Sequence, residues 1–340
     1  MDYNIPPPIV QVTRGSIVES THRAHICVAD SDGRILLAQG NLNHVAYLRS
    51  SAKPFQTGAM IVAGTANRYK LTGKQLALIS GSHSGETIHT ETVVKILAKG
   101  GIKPEALQCG IHPPFDAEAR KQLRESGIKP TALHHNCSGK HAGMLLTTKH
   151  YGESLEDYLD QGNKIQQGII EFISSVADIP AHKIIIGLDG CSAPVHGMPL
   201  YNGALAYARL IHPDGLPDDT ANALKTVAEA MRVYPEMVAA NQNRICTELI
   251  RTGKPFNMIA KAGAEGYYAV GWIDPDSQKG IGMTIKVEDG SQRGRSPLVI
   301  ALLQRFKVLP DVLPENLIPF AAHKLTNHRG LKVGEVRVNM

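Results

Sequence analysis

Strand-like segments occupy both ends of this chain, and helix-like segments occupy its middle. Residues 9–45 read as strands: "HICVAD" and "RILLAQG" flank "DSDG", whose Asp-Gly pair is a strong hairpin signal. From Ser50 the pattern changes. "PFQTGAMIVAGTANRY" and "TIHTETVVKILAKGG" have helical spacing, and the second ends in glycines followed by "IKP", a helix stop. Residues 153–178 and 217–233 also read as helices; in the latter Leu224, Val227, Ala228 and Met231 form an apolar stripe. After residue 255 strands return in "FNMIAKAG", "GYYAVGWID" and "GIGMTIKVEDG". "SPLVIALLQRF" then makes a helix and "GLKVGEVRV" a last strand. Short turns join neighbouring strands at each end, which favours antiparallel pairing. The expected fold is therefore α/β (α+β): one mixed, largely antiparallel sheet built from both chain ends, strand-rich over 9–45 and 255–340, with the helix-rich stretch 50–245 inserted and packed on it. No linker rich in Pro, Gly or Ser marks a boundary, so residues 1–340 are expected to form a single compact unit. "GIKPEAL" at 101–107 and "GIKPTAL" at 127–133 read as two similar helix exits, because no longer period supports a repeat architecture.

Composition narrows the class. With 43% hydrophobic and 20% charged residues, the chain can bury a sizeable core and carries no long disordered tract. The net charge of +5 is spread without a basic block, and no Lys/Arg run interleaves with aromatics, so no nucleic-acid partner is expected. The start, "MDYNIPPPIV", does not have the pattern of a signal peptide, and the longest apolar runs are too short to span a bilayer. A soluble, cytoplasmic protein without a membrane partner is expected. Five cysteines, an odd number, argue against a disulfide framework. Cys27, Cys109 and Cys246 read as small core residues.

"LRSSAKPFQ" places Ser50 three residues before Lys53 at a helix start. Positions three apart share a helix face, so a neutral lysine there can take the serine proton. Lysine becomes neutral only through burial or a neighbouring cation. Backbone N–H groups left free at a helix start can form an oxyanion hole. Alone, S-x-x-K is a weak signal and far more often describes a helix cap with a solvated lysine. It gains weight from "SGSHSGE", with Ser82, His83 and Ser84 in a small-residue loop, and from "AKAGAEG", with Lys261 on a returning strand. The order S-x-x-K, S-x-S, K-x-G parallels, loosely, the S-x-x-K, S-D-N, K-T-G set of serine β-lactamases and penicillin-binding proteins. Two serines and two lysines would then share one site.

Two further stretches carry cysteines: "HHNCSGKHAGM" with Cys137, Lys140 and His141, and "GLDGCSAPVHG" with Asp189 and Cys191. The Gly-Lys pair is not a phosphate loop, since His134 and His141 stand where the motif requires Gly and Ser or Thr. Three readings stay open: buried structural cysteines, a cysteine nucleophile with a histidine partner, and a metal site with two thiolates, which would favour zinc. Histidine is the usual extra ligand. Lysine is an expensive one, since a neutral amine costs about 4–5 kcal/mol at pH 7.

Together these motifs resemble one family, the L-asparaginases typified by enzymes of nitrogen-fixing soil bacteria. That family carries R-S-x-A-K-P, S-H-S, N-C-S-G-K-H, D-G-C, K-x-G-A and K-x-E-D-G. Here, in the same order, these are Arg49 to Pro54, Ser82 to Ser84, Asn136 to His141, Asp189 to Cys191, Lys261 to Ala264 and Lys286 to Gly290. "RGSIVES", "YPEMVA" and "NHRGLKVGEVR" extend the resemblance over nearly the whole chain. It implies a fold related to serine β-lactamases, a homodimer, and hydrolysis of L-asparagine to L-aspartate and ammonia. It further implies that Ser50 with Lys53, and Ser82 with Lys261, are catalytic pairs, and that Cys137, Lys140 and Cys191 hold zinc. The zwitterionic substrate requires a cation, with Arg49 and His83 as candidates, and an anion, with Asp189 as candidate. The alternatives are a related amidohydrolase acting on glutamine, a β-lactam or a small peptide, and a non-catalytic metal- or ligand-binding protein on the same scaffold.

Overall fold

The computed structural model describes residues 5–340. Eleven strands occur among them: β1 (Pro8–Arg14), β2 (Ile17–Asp30), β3 (Ile35–Gln39), β4 (Val45–Tyr47), β5 (Ile185–Leu188), β6 (Pro194–Pro199), β7 (Ile259–Ala262), β8 (Tyr267–Ile273), β9 (Gly280–Val287), β10 (Lys324–Thr326) and β11 (Lys332–Val338). The main sheet has the order β10-β11-β1-β2-β9-β8-β7, with β3 also on β2, and joins the two ends of the chain in antiparallel ladders. Opposite Cys27 lies Thr284, and opposite Val10 lies Val338. The hairpin at "DSDG" forms as its sequence predicts, with the Gly33 N–H donating to the Asp30 carbonyl at 3.0 Å and Gly33 at φ +89°.

The helical middle follows its sequence signals closely. The helix Thr87–Lys99 stops at Gly100, and Gly101, at φ +60°, lets the Ile102 N–H reach back to the Leu97 carbonyl. Two expectations need correction. The stretch 153–178 is α-helical only over Lys164–Ala177, after a short 3-10 turn at Leu155–Asp157, and the Asn163 side chain caps that helix by accepting from Ile165 N–H. The middle also contains a second sheet, β4-β6-β5, which strand patterning did not reveal: β5 is four residues long and β6 begins and ends in proline. No helix among the described residues is long and apolar enough to cross a membrane.

Helices cover both faces of the main sheet. Side chains alternate along a strand, so Gly280, Gly282 and Thr284 of β9 share one face, and Val287 points to the other. The helix Leu200–Ile211 lies on the first face and the helix Gln292–Arg305 on the second. The first contact is close because it is made by small residues. A Cβ on Gly282 would lie 1.9 Å from the Ala204 carbonyl oxygen, and one on Gly280 would lie 2.3 Å from that of Ala208. These obstacles are helix backbone, which cannot swing aside. Gly282→Val is therefore expected to destabilise the protein by about 3 kcal/mol or more. A thermal melt checks this, and a midpoint within a degree of the parent would contradict the contact.

Candidate active site

Strand β4 delivers the chain into a 3-10 turn, Arg49–Ala52, and then into the helix Lys53–Val62. Pro54 sits in the first helical turn, where a missing N–H removes no helical bond. Arg49 adopts φ +52°, a conformation disfavoured without glycine, of the kind that concentrates at functional sites. The two adjacent serines have different surroundings. Ser51 is buried, donates its hydroxyl to the Lys261 carbonyl at 2.9 Å, and accepts at its own carbonyl from the Tyr207 hydroxyl at 2.8 Å. These bonds tie the turn to β7 and to the helix Leu200–Ile211. Ser50 is half-buried, lines a cavity, and makes no side-chain hydrogen bond among the described residues.

The sequence pairing of Ser82 with Lys261 meets a fuller arrangement. Ser82 Oγ lies 2.9 Å from Lys53 Nζ and 2.8 Å from Lys261 Nζ, so both buried lysines converge on one hydroxyl. Lys53 Nζ also donates to the carbonyls of Gly81 at 2.7 Å and Asn136 at 3.4 Å. Ser82 is held by its own N–H, which donates to the Val238 carbonyl at 2.7 Å. That approach requires glycine before it, because a Cβ on Gly81 would lie 2.4 Å from the Met237 carbonyl oxygen. Burial lowers the Lys261 pKa to about 7; the charges of Lys53 and Arg244 push the same way, and Cys246 and Cys137 oppose.

Ser50, Ser82 and Lys261 open on a common cavity of about 430 Å³. Arg244 and Arg295 also line it, and sequence patterning gave no sign of either. Arg244 donates to Ser84 Oγ at 2.7 Å, and Arg295 donates to the Gly263 carbonyl at 3.0 Å. Cys246, expected as a plain core residue, is buried and also reaches the cavity wall.

The three residues considered for the substrate's charges lie outside this cavity. His83 is enclosed: its Nδ1 accepts from Gly85 N–H at 3.2 Å and its Nε2 lies 2.8 Å from Ser138 Oγ. Burial drives its pKa well down, so it is a neutral ring with both nitrogens engaged. Arg49 and Asp189 are paired with each other, Nε and Nη2 of the arginine lying 3.0 and 2.8 Å from the same carboxylate oxygen. Burial opposes ionisation of Asp189, but the Arg49 bond and the Lys140 charge outweigh it and lower its pKa.

Cys137, Lys140 and Cys191 meet behind the Arg49–Asp189 pair. Lys140 Nζ lies 3.1 Å from Cys191 Sγ. A hydrogen bond from Cys191 holds Cys137 well below the ordinary thiol range, and the same bond raises Cys191. Burial would depress Lys140, but the two sulfurs overcome it and raise its pKa. The Tyr158 hydroxyl accepts from Gln108 N–H at 2.8 Å and so directs its proton to His141 Nδ1, 2.6 Å away. That places the His141 proton on Nε2, a buried atom without a geometrically formed hydrogen bond among the described residues that faces the Cys191 sulfur. His196, on β6, is a neighbour that sequence reading missed: it is buried, with neither ring nitrogen partnered among the described residues, and close enough to Lys140 and Asp189 to feel their charges. Among the described residues no three His, Cys, Asp or Glu side chains converge on a metal position. The donor set of two sulfurs and one amine, with a buried ring N–H directed at one sulfur, nevertheless suits a thiophilic ion such as zinc.

A family profile described as L-asparaginase II matches residues 10–338. Solved structures with detectable likeness include a probable glutaminase from Bacillus subtilis complexed with 6-diazo-5-oxo-L-norleucine, at 15% identity over 84% of each chain and a TM-score of 0.39. Another is the protein Mglu, at 16% identity over 86% of this chain and 69% of that one, with a TM-score of 0.42. No curated protein matches the chain significantly.

Proposed function

The chain belongs to the L-asparaginase II family and is an amidohydrolase of L-asparagine or a related small amide; on that premise we propose that Ser50 is its nucleophile and that the Lys53–Ser82–Lys261 chain moves its protons. The observation that carries this reading is the contact of one hydroxyl, Ser82 Oγ, with both lysine amines, at 2.9 and 2.8 Å. With Lys261 neutral, Ser82 passes its proton to Lys261 and takes one from Lys53. Lys53, one turn from Ser50, then has a free lone pair and accepts the Ser50 proton as Ser50 Oγ attacks the amide carbon. Backbone N–H groups of the Arg49–Ala52 turn hold the oxyanion, each worth roughly 10²–10³ in rate. The proton returns through Ser82 to the departing nitrogen, the C–N bond breaks, and water hydrolyses the ester by the reverse route. Asparagine exchanges partners with the Arg49–Asp189 pair, its carboxylate taking Arg49 and its ammonium taking Asp189. His83 holds the Ser82–Ser84 loop in place.

Ammonia release from L-asparagine, with L-glutamine as control, tests this reading. Release from asparagine supports it. A folded, zinc-supplied protein that releases ammonia from neither would favour the non-catalytic binding protein. Lys261 must be neutral to accept a proton, so activity belongs to pH values above its pKa. We expect kcat/KM to fall about tenfold per pH unit below about 7. A profile flat down to pH 5 would exclude Lys261 as proton acceptor.

Cys137, Lys140 and Cys191 would hold a zinc ion, which when bound supplies positive charge that tunes substrate affinity beside the Arg49–Asp189 pair. The lysine must give up its proton to the solvent for the ion to bind. Zinc is therefore expected to bind more weakly as pH falls, with Cys191→Ser losing it; calorimetric titration with zinc checks both. The protein is further proposed to be a cytoplasmic homodimer. Five free cysteines fit a reducing compartment. The small sheet exposes Val45, Tyr47 and Ile185 on one face, an apolar face for a second copy. A monomeric mass by light scattering at micromolar concentration would contradict the dimer.

A further inference from the structure

We propose that the cavity beside Ser50 receives an anionic leaving amine, so that the enzyme also cleaves β-aspartyl dipeptides, in which the aspartate side-chain carboxyl is joined to the α-amino group of a second amino acid. The inference rests on the amidohydrolase reading and adds a substrate class to it.

Asparagine hydrolysis gives the cavity little to do. Its leaving group is ammonia, while about 430 Å³ lies within the range of sites that enclose drug-sized ligands. The charges of the substrate's aspartyl half are matched by Arg49 and Asp189, neither of which lines the cavity. The cavity's own charge is positive: Arg244 and Arg295 line it beside the neutral Lys261, and no Asp or Glu among the described residues does. Such a wall attracts an anion and disfavours a cation. Arg295 is largely buried, so its charge reaches the cavity through little water and acts there more strongly than at the surface.

The distances fit an α-amino acid as leaving group. Arg295 is anchored on Gly263, two residues beyond Lys261, and Arg244 on Ser84, two residues beyond Ser82. Two extended residues span about 7 Å. In a dipeptide the α-carboxylate oxygens lie about 3–4 Å from the scissile nitrogen, and a charge-assisted hydrogen bond adds about 3 Å. Arg244 and Arg295 line the same cavity as Ser50, Ser82 and Lys261, so a carboxylate of that reach on the departing amine meets the cationic part of the wall. Phe115, whose ring lies 5.9 Å from the Arg244 guanidinium carbon, and Phe320 also line the cavity and favour an apolar side chain on the second residue.

The chemistry balances without a co-reactant. Ser50 Oγ forms an ester with the β-acyl group, the C–N bond breaks, and the departing amine takes the proton returned through Ser82. Water then hydrolyses the ester, so one dipeptide and one water give aspartate and the second amino acid.

The test incubates purified, zinc-supplied protein with β-aspartyl-phenylalanine, measures aspartate and phenylalanine by chromatography, and follows ammonia release from asparagine in parallel. Equimolar aspartate and phenylalanine are expected. Arg244→Gln and Arg295→Gln should each lower the ratio of dipeptide to asparagine kcat/KM by about ten- to a hundredfold, and Arg244→Lys should restore part of it. Arg295 is buried, so Arg244→Gln, at a half-buried position, carries the test if the other variant fails to fold. Asparagine cleaved with the dipeptide untouched, or a ratio unmoved by Arg244→Gln, would overturn the inference and leave the asparaginase reading standing. Neither substrate cleaved would overturn both.

Discussion

Ser50→Ala is expected to lower ammonia release from asparagine by about 10⁴-fold or more, with the fold unchanged. Losing the nucleophile of a hydrolase typically removes nearly all catalysis beyond that supplied by the oxyanion site and substrate binding. The fold should survive because Ser50 Oγ makes no hydrogen bond among the described residues and the position is half-buried. Ser51→Ala supplies the contrast. Ser51 Oγ joins the turn to the Lys261 carbonyl, which also belongs to the β7–β8 ladder, so its loss removes one buried hydrogen bond and should cost about 0.5–1.5 kcal/mol of stability. Activity and thermal midpoint, measured on both variants, separate the roles. If Ser50→Ala kept activity within tenfold while Ser82→Ala lost it, the nucleophile would be Ser82.

Lys261→Met should cost about 10²–10⁴ in kcat, the range of a positioned proton-transfer group. Methionine keeps the apolar stem length and fills the buried space without an amine. Lys53 would retain Ser82 Oγ and the Gly81 carbonyl as acceptors, so the local structure has little reason to shift. The diagnostic readout is the pH profile: the residual activity of the variant should lack the fall below about 7 that belongs to the Lys261 amine. A variant with depressed activity but an unchanged pH profile would assign that proton transfer to another group. Ser82→Ala should produce a similar loss, since it cuts the only hydroxyl shared by the two lysines among the described residues.

The sequence by itself determined most strands of the main sheet, though not the three-residue β10. The hairpin at "DSDG", the returning strands after residue 255 and the last strand were legible because side-chain alternation and turn chemistry are local properties. The site motifs were legible for the same reason: Ser50, Lys53, Ser82 and Lys261 each sit in a short stretch of unusual composition. The small sheet β4-β6-β5 was not, because its strands are too short to show a period and the residues that pair lie far apart in the chain.

Tertiary structure alone decided which groups meet. Lys53 reaches Ser82, 29 residues away, and Arg49 pairs with Asp189, 140 residues away. His83, next to Ser82 in sequence, points behind the site instead of into it. Arg244, in the loop before the helix Ile245–Thr252, and Arg295, inside the helix Gln292–Arg305, carry no local signature, since a lone arginine reads as a solvated charge until the fold buries it against a cavity. The pKa of Lys261 is likewise a tertiary property: desolvation depends on what surrounds the amine, and its surroundings come from β7, the Ser82 loop and the start of the Lys53 helix.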